Sequence, residues 1–273
     1  MDRTYILENS SLLTGVVLGF CLLTVLVIGS FLNVVIYRVP NKLSLTKENS
    51  FCPKCHHKLR WYENIPLISF IIQKGRCREC GEKISWQYPL VEIAALLSGV
   101  AVYLRYGFSY FSLSVIFLLL AFICIFVIDL KLLIIPDSIN IFILIVSLIS
   151  LFMKISSTNG ELVIDYRDKL WSLAVSITLY FVIIVIERIT KIEVMGGGDI
   201  KLIGAVGLFL GYQLTLLGIF LAAIFGLLIE VGKKVFNKKN LGQEIAFGPS
   251  LVLGFSCALF WGLDLVNWYL TLF

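Results

Sequence analysis

Apolar residues in this chain come in long runs rather than on single faces. The first run extends from Leu12 to Val35, and others cover about 89–105, 111–128, 138–153, 170–186, 200–213, 214–232 and 246–270. Several reach the roughly 17 to 20 residues that a helix needs to cross a bilayer. None shows the strict apolar–polar alternation of strands in a membrane barrel. The pattern predicts an all-α polytopic membrane protein with about eight transmembrane helices. The run 200–213 carries Gly204, Gly207 and Gly211, residues that suit close helix packing in a membrane.

Composition supports this reading. Hydrophobic residues make up 59% of the 273 positions and charged residues only 15%, against about 25% charged in an ordinary soluble domain. That excludes a disordered chain, and a soluble core of this size cannot hide so much apolar surface. The polar stretch 38–88 is the one segment able to fold separately. The expected organisation is a first span at 11–36, a cytosolic loop at 38–88 and a membrane core at 89–270.

The net charge of +5 is unevenly spread. Ten Lys or Arg and four Glu lie between Arg38 and Lys83, a net of +6, so the remaining chain is close to −1. Basic segments beside membrane spans mark cytosolic loops. The basic cluster follows the first run instead of preceding it, as a signal peptide would require. The expected topology is an uncleaved first span with its N-terminus outside. On that topology loop 233–244, with four lysines, is cytosolic, and loop 154–169, with no positive excess, is external. A basic segment can also bind nucleic acid; the loop reading is preferred, and no nucleic-acid partner is expected.

Four of the seven cysteines form Cys52-Pro-Lys-Cys55 and Cys77-Arg-Glu-Cys80. Two such knuckles at this separation suit tetrahedral zinc, each turn supplying two thiolates. Paired disulfides are the alternative, but the loop is assigned to the reducing cytosol. Four thiolates ligate the metal fully, so the expected zinc is structural. His56 and His57 are read as bystanders, and Cys21, Cys124 and Cys257 as small apolar residues within spans.

Ionisable residues at membrane spans are costly and are functional candidates. Asp129 ends the run before it, and Asp199 follows Gly196-Gly197-Gly198 and precedes a span. On the expected topology both acids stand at the cytosolic level. Two carboxylates there can share a proton and activate a water, as in aspartic proteases. The bland readings are an N-cap for Asp199 and a simple glycine loop. Asp137, in Ile135-Pro136-Asp137, is a second possible partner for the pair, or a cap of the span that follows it.

These residues resemble a known family, the bacterial type IV prepilin peptidases. Gly196-Gly197-Gly198-Asp199 is similar to the GxGD signature of intramembrane-type aspartyl proteases. Gly29 to Pro40, the two CxxC knuckles, Trp61, Asn64-Ile65-Pro66, Ser69, Gly75-Arg76-Cys77, Ser85 to Pro89 with Glu92, Asp129 with Ile135-Pro136-Asp137, and Phe247-Gly248-Pro249 extend the likeness over nearly the whole chain. GxGD alone is a weak pattern; the combination is specific. The resemblance implies an inner-membrane enzyme that cleaves the basic leader of prepilins or pseudopilins after a glycine on the cytosolic side. Asp129 and Asp199 are then the catalytic pair, one the base and the other the acid. It also implies methylation of the new N-terminal amine from S-adenosylmethionine, an activity linked to the cysteine loop. No glycine-rich fingerprint assigns residues to that cofactor. A basic leader and a basic loop do not attract, so anionic membrane lipids are the expected guide for the leader. The competing readings are a peptidase lacking the methyltransferase activity and a non-enzymatic zinc-ribbon membrane assembly factor.

Overall fold

A computed structural model describes residues 3–46, 50–152, 196–236 and 246–271, with part of 171–189. The described residues are almost entirely helical: α1 (Arg3–Arg38), α2 (Ile68–Ile72), α3 (Gln87–Tyr106), α4 (Tyr110–Leu132), α5 (Asp137–Phe152), α6 (Gly197–Leu210), α7 (Tyr212–Phe236) and α8 (Gly248–Leu270). Five of them carry stretches long and apolar enough to cross a membrane: Leu13–Arg38, Gln87–Tyr106, Tyr110–Leu132, Tyr212–Gly232 and Gly248–Leu270. α5 and α6 are shorter, at 16 and 14 residues. At about 1.5 Å per residue they reach roughly 24 and 21 Å. The predicted run 170–186 falls mostly outside the described residues, as do loop 154–169 and most of loop 233–244.

The sequence places the break between the sixth and seventh runs at 213–214. The structure puts it at Gly211, whose φ of 82° interrupts the helix. That backbone region suits glycine and few other residues. The Gly211 N–H bonds back to the Gly207 carbonyl while its own carbonyl accepts from Thr215, so both helix ends stay hydrogen-bonded.

The chain divides into two compact units, Met1–Leu104 and Arg105–Phe273. In the first, α1 and α3 pack closely where Gly29 faces the other helix: a Cβ on Gly29 would stand 2.8 Å from Ala95 Cβ. Such small-residue contacts hold membrane helices together where lipid removes the hydrophobic drive. Between these helices lie two knuckles built alike. Cys52 N–H donates to the His57 carbonyl, His56 N–H to Cys52, and Leu59 N–H to Ser50; twenty-five residues on, Cys77, Gly81 and Ile84 donate to Glu82, Cys77 and Gly75. Phe51 bridges Lys58 as Arg76 bridges Lys83. The left-handed position after each CxxC is taken by His56, at φ 57°, and by Gly81, at φ 69°.

Glu63 ties the two knuckles together. Its Oε2 accepts from the Arg60 N–H at 2.9 Å and lies 3.3 Å from His57 Nε2, while Arg78 approaches Oε1 at 3.9 Å. His57, expected to be a bystander, is instead a structural partner of a buried acid.

The second unit is a bundle of α4 to α8 around fully buried Phe122, Ile125, Ile143, Leu202, Phe209 and Phe255. α7 and α8 run antiparallel in tight contact: a Cβ on Gly226 would meet Ser250, and one on Gly262 would meet Leu214. α5 and α6 run side by side in the same direction. Asn140 Nδ2 donates to the Gly198 carbonyl at 3.1 Å, and Ser147 Oγ to the Ala205 carbonyl at 2.7 Å, seven residues further along both helices. The end of α4 and the starts of α5, α6 and α8 thus gather at one end of the bundle.

Candidate active site and metal centre

Asp129 lies on the last turn of α4, and its side chain is buried. The helix stops just beyond it: Leu133 adopts a left-handed conformation, and its N–H closes on the Asp129 carbonyl at 3.0 Å. The carboxylate is held by the neighbouring helix α8, where the Gly248 N–H donates to Oδ2 at 2.9 Å. Gly248 is the first residue of α8. Its amide is one of the helix N-terminal donors that have no partner within the helix, at the end where the helix dipole favours an anion. A Cβ on Gly248 would stand 2.7 Å from Asp129 Oδ2 and 2.9 Å from Cγ, so no larger residue fits that approach.

Asp199 is the third residue of α6. Its N–H bonds to the Gly196 carbonyl at 3.0 Å, and its carboxyl folds back over Gly196, where a Cβ would be 3.0 Å from Oδ2. A Cβ on Gly198 would press on Ile135 at 3.0 Å, so the glycines let the α6 start lie against the Ile135-Pro136 turn. The Asp129 and Asp199 carboxyls are near enough to interact electrostatically. Asp137 behaves differently. It opens α5, is mostly exposed, and pairs with Lys201 at 2.6 Å. Asp129 and Asp199 stand at the same end of the bundle, and Asp137 stays exposed beside Lys201.

Two contributors escaped the sequence reading in these roles. Gly248 was visible as part of a three-residue motif, but its amide bond to Asp129 spans 119 positions. Asn140 carried no signal beyond its spacing of seven from Ser147. It is only 4% exposed, and its Oδ1 is the one buried side-chain polar atom without a partner among the described residues.

In the first unit, Cys52, Cys55, Cys77 and Cys80 converge, their four Sγ atoms all within 4.8 Å of one another. Cys52 Sγ is 3.8 Å from Cys80 Sγ and Cys55 Sγ is 3.9 Å from Cys77 Sγ. These separations exceed a disulfide bond and match the S···S edge of about 3.8 Å that follows from Zn–S bonds of about 2.3 Å in a tetrahedron. All four thiols are free. The donor set fits a metal ion bound by sulfur alone, with no position left for water.

Comparisons with known proteins agree with both regions. Residues 23–106 match the bacterial peptidase A24 N-terminal domain, and residues 116–231 match the type IV leader peptidase family. A prepilin leader peptidase/N-methyltransferase of Aeromonas hydrophila is 31% identical over 272 residues, covering 91% of this chain and 92% of the relative. Those of Pseudomonas aeruginosa and Neisseria gonorrhoeae are each 31% identical, covering 93% and 90% of this chain and 94% and 92% of theirs. No solved structure matches the chain. With its two motif regions and near full-length relatives, the chain belongs to the type IV leader peptidase family.

Proposed function

We propose that this chain is a bifunctional enzyme of the bacterial inner membrane, with its N-terminus outside and the cysteine loop in the cytosol. It cleaves the basic leader of type IV prepilins or pseudopilins after a glycine and methylates the new N-terminal residue. The observation that carries the peptidase reading is the buried Asp129 carboxylate, fixed by Gly248 and within electrostatic reach of Asp199.

In this reading the Gly248 N–H occupies Asp129 Oδ2 and leaves the other oxygen for chemistry. One carboxylate takes a proton from water as the water oxygen attacks the scissile carbonyl. The other, protonated, gives its proton to the amine as the C–N bond breaks, which is general acid–base catalysis by a coupled pair. The relatives' names, prepilin leader peptidase/N-methyltransferase, support the second activity as well as the first. S-adenosylmethionine, when bound, supplies the methyl group, and the accepting amine loses a proton. No residue of this chain is assigned to that donor.

Zinc is the metal we assign to Cys52, Cys55, Cys77 and Cys80. Its role is structural, because four thiolates fill a tetrahedral site. Anionic lipid draws the leader lysines to the membrane surface, at about 1 kcal/mol each. The deciding experiment incubates reconstituted enzyme with a leader-bearing prepilin and S-adenosylmethionine. Cleavage is read by size and methylation by mass. An intact prepilin would sink the peptidase reading, and a cleaved but unmethylated product would remove the second activity.

A further inference from the structure

Inside the polar loop lies a stretch that is not polar: Ile65-Pro66-Leu67-Ile68-Ser69-Phe70-Ile71-Ile72. Its last five residues form α2. A helix this short gains little from its own hydrogen bonds. The apolar side chains do not sink into a core either: Ile68 is 54% exposed, Ile71 72% and Ile72 63%. Phe70 turns instead to Trp86, at a ring separation of 5.1 Å.

The backbone is held under strain at the same place. Leu67 has φ 59° and ψ −47°, and the Ile68 N–H bonds to the Pro66 carbonyl. A γ-turn with positive φ at its centre is the rare, strained form. A long-range contact braces it: the Leu67 N–H donates to Glu92 Oε2 at 2.8 Å. Glu92 is a buried acid in α3, and its backbone faces Gly29 of α1.

That contact ties the turn to a candidate membrane span. Glu92 is the sixth residue of α3, a helix apolar and long enough to cross a membrane. It lies about 7 Å along the helix from its first residue. The turn at Leu67 is therefore tied to the early part of a candidate membrane span, and the chain returns to the loop through Lys74 and Arg76. Three large apolar side chains are exposed beside this anchor, within a segment of net charge +6. This combination suits an anionic lipid surface.

We infer that residues 65–72 form an interfacial hook, inserted in the cytosolic leaflet, that moors the metal-binding loop to the bilayer. Phospholipid acyl chains cover Ile68, Ile71 and Ile72, and Lys74 and Arg76 reach the headgroups. The strained turn at Leu67 is tolerated because Glu92 holds its amide and lipid receives its isoleucines. The inference rests on the membrane reading alone and stands or falls apart from the peptidase activity.

The test uses the full chain in bilayers of phosphatidylethanolamine and phosphatidylglycerol. A photoreactive benzophenone residue replaces Ile71 in one sample and the exposed Lys54 in another, and adducts are read by mass. The expected result is about tenfold more phospholipid adduct at 71 than at 54, as for a side chain within the acyl boundary. Equal yields, or adducts at 71 mainly to protein, would overturn the inference. A second measurement needs no bulky label. Hydrogen exchange across 65–72 should accelerate about tenfold in the double variant Ile71→Glu, Ile72→Glu, once a charged hook leaves the lipid. Exchange across 50–60 and zinc content should stay unchanged. Wild-type protein whose 65–72 segment already exchanges as fast as the variant would equally overturn it.

Discussion

Asn140 Nδ2 donates to the carbonyl of Gly198, the residue immediately before Asp199, across 3.1 Å. The bond joins the start of α5 to the start of α6 and so sets where Asp199 stands relative to the end of α4. Ser147 makes the same kind of bond to Ala205 seven residues deeper, away from the carboxylates. Asn140→Ala should lower the rate constant for leader cleavage by about 10- to 100-fold, because small misplacements of a reacting group are costly. Ser147→Ala should leave that rate within about twofold of wild type at similar thermal stability, since it removes one neutral hydrogen bond. Equal losses in the two variants would mean that Asn140 only supports the fold.

The acids themselves separate cleanly. Asp129→Asn and Asp199→Asn should each abolish cleavage while leaving the protein in the membrane. Asp137→Asn should retain most activity, since its carboxylate sits exposed against Lys201 and an exposed pair contributes little to stability. Cleavage of a leader-bearing prepilin, normalised to the amount of each variant, checks all three. Normal cleavage by either of the first two would remove the two-carboxylate mechanism.

Gly248 is the most sensitive backbone position at the site. A Cβ there would lie 2.7 Å from Asp129 Oδ2, well inside van der Waals contact. Gly248→Ala should push the carboxylate off its amide donor and cut cleavage by about 100-fold or more, with zinc content unchanged. A fully active Gly248→Ala enzyme would show that the amide bond is dispensable.

Metal content tests the cysteine centre. Purified protein should carry one zinc per chain, and replacing any of Cys52, Cys55, Cys77 or Cys80 with Ser should lower that content, because ligands and fold are coupled. Removing zinc with a strong chelator should raise hydrogen exchange across 50–60 and 75–85. It should leave α4 to α8 unaffected.

Glu63 supplies a test of the loop that touches no ligand. The Arg60 N–H, then the His57 side chain, hold its carboxyl below the usual carboxylate range, against the opposing effect of burial. A depressed carboxyl contributes stability at neutral pH that disappears as pH falls below the ordinary glutamate value of about 4.3. Glu63→Ala should therefore weaken zinc retention in a chelator competition at pH 7. Glu63→Gln, which keeps an acceptor for the Arg60 N–H, should weaken it less. Identical retention in all three proteins would show that Glu63 does not link the knuckles.

Much of this protein was legible in one dimension. Apolar run length alone marks α1, α3, α4, α7 and α8 as spans, because bilayer thickness sets a minimum length that the sequence displays directly. The thiol cluster was legible for a similar reason: each CxxC is a local turn that presents two sulfurs, and only one long-range pairing remained to be made. Asp129 and Asp199 stood out because charge is rare beside such runs.

Tertiary structure alone decided how those pieces meet. The Gly248 amide on Asp129 and the Asn140 amide on Gly198 are long-range bonds between helix ends. They depend on helix register, which apolar run length cannot specify in a chain whose spans are apolar on nearly every face. The break at Gly211 depends on one backbone torsion rather than on hydropathy. The turn at Leu67 was hidden because the apolar stretch 65–72 is too short to read as a span. It gains its meaning only from the Glu92 carboxylate 25 residues away, which holds its amide.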